Sequence, residues 1–252
     1  MSLQLTALTK AFGAPPKIAV ADVSLEVPEG SFTAIVGPSG SGKSTLLRMI
    51  GGLTEPTSGQ VRMGGHSPNE LRRRKEVGWM AQRPALLPWR TVEDNIRLAQ
   101  TINRRPERPL PEPRDLLEMV GLSSSAGAYP SQLSGGMQQR VALARTLAIG
   151  APLWLMDEPF ASLDELTREA LADDLLAVWS EVRSTVVWVT HHVPEAVTLA
   201  DRILVLTPSP GRVAGMVEMP SERPRYPVSA TFQGAVAEVR SLLRLERREV
   251  VA

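Results

Sequence analysis

Residues 37–45, "GPSGSGKST", carry the first recognisable chemistry of this chain. They fit G-x-x-x-x-G-K-S, the spacing of a loop whose backbone amides wrap a phosphate. The amides from Gly40 to Ser44 are placed to cradle a β-phosphate. Lys43 is placed to neutralise β- and γ-phosphates, and the Ser44 hydroxyl to ligate Mg2+, a cation that takes oxygen donors. The whole loop, Gly37, Pro38, Ser39, Gly40, Ser41, Gly42, Lys43, Ser44 and Thr45, is therefore the expected nucleotide-phosphate site. The plainer alternative is a glycine turn before a helix.

Two further stretches read as chemistry. "LWLMDE" at 153–158 puts two acids at the end of an apolar run. Asp157 can hold Mg2+ directly or through water, and Glu158 can orient or deprotonate an attacking water. Alone, such a pair is often just two solvated acids. "SQLSGGMQQR" at 131–140 puts a serine and two glycines before an apolar, helix-compatible run. That is a second anion-ready helix start, with free N–H groups and glycines that admit close approach. One nucleotide does not need two such sites in one chain.

These residues need rigid elements to hold them. "SFTAIV" reads as a buried strand and "KSTLLRMIGGL" as a helix, so the glycine loop sits between strand and helix as phosphate binding requires. "LQLTALT" and "KIAVADVSLEV" read as strands, "PEG" and "TEPTSG" as turns, and "VGWM" at 77–80 as a strand. Residues 91–150 are mostly helical in pattern: "TVEDNIRLAQTI", "RDLLEMVGL" and "GMQQRVALARTLAI". A proline-dense link at 104–113 interrupts them and cannot be helix interior. "PLWLMD", a helix near 164–182, "STVVWVT", "PEAVTLA" and "RILVLT" then alternate strand and helix, the signature of a parallel sheet covered by helices. The tail from about 229 to 247 has apolar residues at helical spacing, and the basic run 72–75 reads as a solvated loop.

The chain has 252 residues, with 28 basic and 27 acidic side chains and a net charge of +1. This is not the basic footprint of a duplex-binding protein, so no nucleic-acid partner is expected. It has no cysteine, which excludes disulfides and thiolate metal sites. No signal peptide is read at the start. No apolar run reaches the ~18 residues of a membrane span; the longest candidate, "VALARTLAIGAPLWLM", is broken by Arg145.

Taken together, "GPSGSGKST", "LSGGMQQR", "LWLMDEP", "ASLD" and "VTHH" resemble the ATP-binding subunits of ABC transporters, from about residue 3 to 220. "PALLPWRTVEDNI" and "HHVPEAVTLADRILVLTPSPGRV" resemble more narrowly the nitrate/sulfonate/taurine-type importer ATPases. The resemblance implies an α/β fold: a P-loop NTPase core with a mixed or parallel sheet, an N-terminal antiparallel β region and an inserted helical subdomain. It places an ATP-binding core at 1–90 and 151–220, a helical subdomain at 91–150 and a helical tail at 221–252. It makes Phe12 the adenine-stacking aromatic, with simple packing as the alternative, and Gln82 the glutamine that meets Mg2+ and water, with an ordinary loop amide as the alternative. Asp164 closes the D-loop, and His191 contacts the γ-phosphate. Glu158, His191, Gln82 and Lys43 are the implied catalytic set, and Ser44, Gln82 and Asp157 the implied Mg2+ set. Two features depart from the pattern: His192 stands where Asp is usual, and "WMAQ" lacks the usual bulky apolar residue before Gln82.

The resemblance also explains the second helix start. In the family's head-to-tail homodimer, Ser134, Gly135, Gly136 and Gln138 of one chain face the nucleotide held by the other, so two incomplete sites become two complete ones. The implied cofactors are ATP and Mg2+. The implied partners are a second copy, integral-membrane permease subunits and an extracytoplasmic solute-binding protein. The implied place is the cytoplasmic face of the membrane, and the cargo a small solute. A soluble ATPase of the same family, uncoupled from transport, is the alternative; such proteins usually carry two ATPase units or a long coiled-coil insertion. A non-hydrolysing regulator is disfavoured by Lys43, Asp157, Glu158 and His191, and a GTPase by the lack of N-K-x-D.

Overall fold

The computed structural model describes residues 2–103, 110–219 and 222–249. Residues 104–109 of the proline-dense link, residues 221 and 250–252 of the expected tail, and residues 1 and 220 lie outside the described residues. In chain order the elements are β1 (Leu3–Phe12), β2 (Lys17–Val27), β3 (Phe32–Val36), α1 (Lys43–Ile50), β4 (Ser58–Met63), α2 (Pro68–Arg74), β5 (Val77–Met80), α3 (Val92–Ile102) and α4 (Pro113–Met119). There follow α5 (Gly135–Leu147), β6 (Leu153–Asp157), α6 (Glu165–Val182), β7 (Thr185–Thr190), α7 (Val193–Leu199), β8 (Arg202–Leu206), β9 (Val213–Glu218) and α8 (Ala230–Glu249). Packing divides the chain into one unit of Met1–Leu71 with Thr185–Ala252 and a second of Arg72–Ser184.

The first unit holds the expected antiparallel region, with strand order β2–β1–β4. Leu3 pairs with Val27 on one side and Met63 on the other. All three are buried, and the alternation of buried and exposed residues along β1 and β2 gives each strand one core face. The same unit contains β3 flanked by β7 and β8, both parallel to it, with β9 antiparallel to β8. Every residue of β3 and β7 is buried, as expected for central parallel strands covered on both faces. Phe32 and Trp188 pack with ring centroids 5.6 Å apart, and the Trp188 indole donates to Glu195 Oε1 at 2.6 Å, which satisfies its buried N–H.

The second unit pairs β5 with β6 in parallel, Val77 against Leu153 and Met80 against Met156. Gly78 lets α5 approach β5: a Cβ there would lie 3.2 Å from the Thr146 carbonyl. Helices α3, α4 and α5 pack on one another, and Val92, Ile96, Leu116, Leu117, Val141 and Ala144 on them are buried.

Three elements differ from the sequence reading. Residues 72–75 are not simply a loop: Arg72–Arg74 form the last turn of α2, where cations favour the helix's negative end. Its start was legible as S-x-x-E. The Ser67 amide and hydroxyl both donate to Glu70 Oε2 at 2.7 Å, and the Glu70 amide returns to the Ser67 hydroxyl at 3.4 Å. Strand β4 begins inside the stretch read as a turn, and β9 was not anticipated. Both are short edge strands: β4 is mostly polar, and the apolar residues of β9 are interrupted by Gly215.

Candidate functional site

In the first unit, β3 delivers the chain into the glycine loop and α1 leaves it. Gly40 and Gly42 have φ of 80° and 83°, and a Cβ on Gly42 would strike Val20 Cγ2 at 2.6 Å and the Ala19 carbonyl at 2.7 Å. Glycine is thus required there both by conformation and by space. Lys43 is buried, and its ammonium donates to the carbonyls of Gly37 and Pro38 at 2.8 and 3.0 Å. Gly211 supports the loop from behind: a Cβ there would fall 2.0 Å from the Ser41 carbonyl, and Gly211 exchanges backbone hydrogen bonds with Ala19 and Ala21.

The front of the loop opens on a cavity of about 490 Å3 lined by Gly37, Pro38, Ser39, His191, Arg240, Leu243 and Arg244. So His191, one residue past β7, meets the loop as expected of a side chain at the carboxyl end of a parallel strand. Its neighbour His192 does something else. His192 Nδ1 accepts the Glu195 amide at 3.3 Å and caps α7, the task Asp performs at a helix start. Phe12, at the end of β1, is 48% exposed and is not part of that lining. The Lys10 ammonium lies 5.0 Å from its ring centroid, so Phe12 is not a core residue.

In the second unit, the pairing of Met80 with Met156 sets the next residues in step. Two positions beyond each, Gln82 Nε2 donates to Glu158 Oε2 at 3.2 Å. Asp157 ends β6 with only 3% exposure. Glu158 follows with φ of 49°, a left-handed conformation that costs a non-glycine residue ~1–3 kcal/mol and recurs where function dictates the backbone.

The loop after Gln82 is clamped by two side chains that sequence reasoning did not assign. Asn95, fully buried on α3, accepts the Leu87 amide at 2.8 Å and donates to the carbonyls of Leu87, Arg90 and Thr91 at 3.2, 3.2 and 2.9 Å. Arg145 on α5 donates to Pro84 and Ala85 carbonyls at 2.7 and 2.9 Å, and burial lowers its pKa from the usual guanidinium value. Both left a trace in the sequence: a polar Asn on the apolar face Val92–Ile96–Ala99, and a cation inside an apolar run. Trp89 projects from this loop with 71% of its surface exposed.

Ser134 caps α5, its hydroxyl accepting the Met137 amide at 3.2 Å. Ser134 and Gly135 are exposed, so the helix start is open. Gly136 is close to Leu163, where a Cβ would sit 3.3 Å from Cδ2. Gln138 braces its own approach, donating to Pro130 and Leu133 carbonyls at 3.0 and 3.3 Å. Asp164 caps α6 by accepting from the Thr167 amide and hydroxyl at 3.0 and 2.7 Å. Those two bonds hold its carboxyl below the usual aspartate range.

Comparison with known proteins shows the family. The sequence profile of the ABC transporter family matches residues 20–161. The nitrate import ATP-binding protein NrtD of Synechococcus elongatus is 40% identical over 246 residues, covering 95% of this chain and 89% of the relative. The aliphatic sulfonates import ATP-binding protein SsuB 1 of Mesorhizobium japonicum is 43% identical over 221 residues, covering 88% and 80%. Among solved structures, a dimeric ATP-binding cassette in a post-hydrolysis state, bound to ADP and Pi, superposes with a TM-score of 0.77 at 35% identity. It covers 87% of this chain and 100% of that one.

Proposed function

Because this chain belongs to the ABC transporter family, as one of its ATP-hydrolysing subunits, we propose that it powers the import of a small anionic solute of the nitrate or sulfonate class. The cargo class rests on the names of the relatives. The ATPase chemistry rests on one observation above others: a glycine loop with Lys43 folded against it, opening on a cavity that His191 also lines.

Each assigned group has its own proposed role. Lys43 exchanges its two carbonyl partners for β- and γ-phosphate oxygens. Water adds to the γ-phosphorus, the bond to the ADP oxygen breaks, and the water's proton passes to Glu158. Gln82, bonded to Glu158 Oε2, keeps that carboxylate aimed and offers its amide to the water. His191 donates to the γ-phosphate. Phe12, being partly exposed, is free to stack on adenine. Ser44, Gln82 and Asp157 would hold Mg2+: each offers an oxygen donor, and Asp157 is a buried carboxylate, a chemistry that suits that ion. When bound, that ion would supply positive charge to the phosphates.

The exposed start of α5 supports the two-chain site. Ser134 satisfies one amide of its own helix, and the remaining N–H groups and the positive end of the helix are left for an anion on a second copy. Loss of the γ-phosphate removes the charge joining the copies, and the dimer opens. The loop 82–90, with Trp89 outward, is proposed to receive the permease, which places the chain on the cytoplasmic face of the membrane. An extracytoplasmic solute-binding protein completes the proposed assembly. No described helix is long and apolar enough to cross a membrane. The test is ATPase activity of the complex reconstituted in vesicles with nitrate or an aliphatic sulfonate supplied outside. Stimulation by either anion is expected. ATPase activity indifferent to every small anion tried overturns the cargo assignment, and its absence overturns the enzyme assignment.

A further inference from the structure

The cavity in front of the glycine loop has a wall that none of the chemistry above uses. Arg240, Leu243 and Arg244 come from α8. On the reading that the loop binds ATP, on which this inference rests, we propose that Arg240 and Arg244 are additional ligands for the terminal phosphate of the bound nucleotide. The terminal helix is then part of the ATP site and not an appendage.

Their position follows from packing. Phe232, Ala235, Val236 and Val239 are buried along one stripe of α8, and Leu242 fills the space over Gly215, where a Cβ would lie 2.9 Å from it. The segment leading into the helix is pinned too. Arg223 pairs with Asp201 at 2.7 Å, and Arg225 donates to the Val197 and Ala200 carbonyls at 2.7 and 2.6 Å. With the stripe fixed, two residues four apart fall on one side of the helix. Arg240 and Arg244 flank the stripe and turn to the cavity.

Their chemistry points to an anion. Both are exposed, and among the described residues neither makes a hydrogen bond or ion pair. Guanidinium stays charged across the working pH range and forks onto phosphate oxygens. The volume of about 490 Å3 lies within the ~300–1,000 Å3 of small-ligand sites. The lining includes Gly37–Ser39 and His191, the γ-phosphate contact, but not Gly40–Ser44, which cradle the β-phosphate. The arginines therefore sit at the terminal-phosphate end. ATP carries one more phosphate there than ADP, so their contribution is selective for the triphosphate.

The test is isothermal titration of the full chain with AMP-PNP and with ADP, for wild type, R240A/R244A, R240K/R244K and K43A. The double alanine variant is expected to lose about tenfold or more in AMP-PNP affinity and less than threefold in ADP affinity. The double lysine variant is expected to recover part of the loss, and K43A to weaken both nucleotides. Unchanged AMP-PNP affinity overturns the inference. So does an equal loss for both nucleotides, which would mean a general charge effect. A gain in AMP-PNP affinity would mean that α8 obstructs the site, and also overturns it. If wild-type protein binds neither nucleotide, the ATP reading itself falls, and this inference with it.

Discussion

Asn95→Ala should release the loop that carries Gln82. Asn95 is fully buried and serves four backbone groups. Removing it strands the Leu87 amide, at ~1–3 kcal/mol for a buried donor without a partner. It also removes two N–H donors shared among three carbonyls, each ~0.5–1.5 kcal/mol net, though water can reach some of those carbonyls. A combined loss of about 2–5 kcal/mol follows, or ~2–4 °C of melting temperature per kcal/mol at this chain length. The local consequence is sharper than the global one. Gln82 and Glu158 lose their fixed relation, so kcat should fall by at least tenfold while nucleotide affinity changes little. Asn95→Asp separates this from simple cavity formation. It keeps the acceptor for Leu87 N–H but sets a carboxylate against three carbonyl oxygens, so it should be no better than Ala. Denaturant unfolding, hydrogen exchange at the Leu87 amide, and a kcat-against-Kd comparison read the three effects. If Asn95→Ala stays within ~0.5 kcal/mol of wild type and Leu87 exchange is unchanged, the clamp is not what holds the loop.

Phe12→Ala should weaken nucleotide binding by ~1–3 kcal/mol, the scale of one base stacked on a ring, without lowering the melting temperature, because the ring is 48% exposed; an unchanged Kd with a large thermal loss would mark it as structural. His192→Ala should cost ~0.5–2 kcal/mol by uncapping α7, whereas His192→Asp should restore stability; equal losses in both, measured by urea titration, would refute capping by Nδ1. Asp164 has a folded-state pKa below the ordinary 3.8, so its cap contributes stability above that pH. The contribution is lost as pH falls through the folded value. Exchange of the Thr167 amide should accelerate at acid pH in wild type but not in Asp164→Asn.

The glycine loop, the paired acids and the second helix start were legible because each is a local signal: a turn that needs glycine, flanked by elements with clear periodicity. The fold was legible for the same reason in its buried strands, since "FTAIV" and "TVVWVT" show no alternation and are fully buried. What escaped was non-local. Asn95 and Arg145 act on the 84–91 loop through backbone groups, which no side-chain pattern reveals. Gly211 matters because Ser41 lies against it, and nothing near residue 211 says so. The departure of His192 from the family's Asp became intelligible only when Nδ1 was seen accepting the Glu195 amide. Strand β9 is short and carries Gly215 at its middle, so its pairing with β8 is what defines it.

This chain is proposed to hydrolyse ATP at sites completed by a second copy. The most direct measurement mixes Lys43→Ala chains with Ser134→Arg chains and follows turnover together with ATP-dependent dimer closure. Each variant alone should be near background, since every site then lacks either the phosphate-holding lysine or an open helix start. In a mixed dimer formed across a two-fold axis, one site carries both defects and the other carries none. Random mixing makes about half the dimers mixed, so roughly a quarter of all sites are intact, and the mixture should recover measurable activity. If mixed dimers are shown to be present and neither closure nor turnover returns, both phosphate-facing helix starts serve the same chain, and the shared-site claim is wrong.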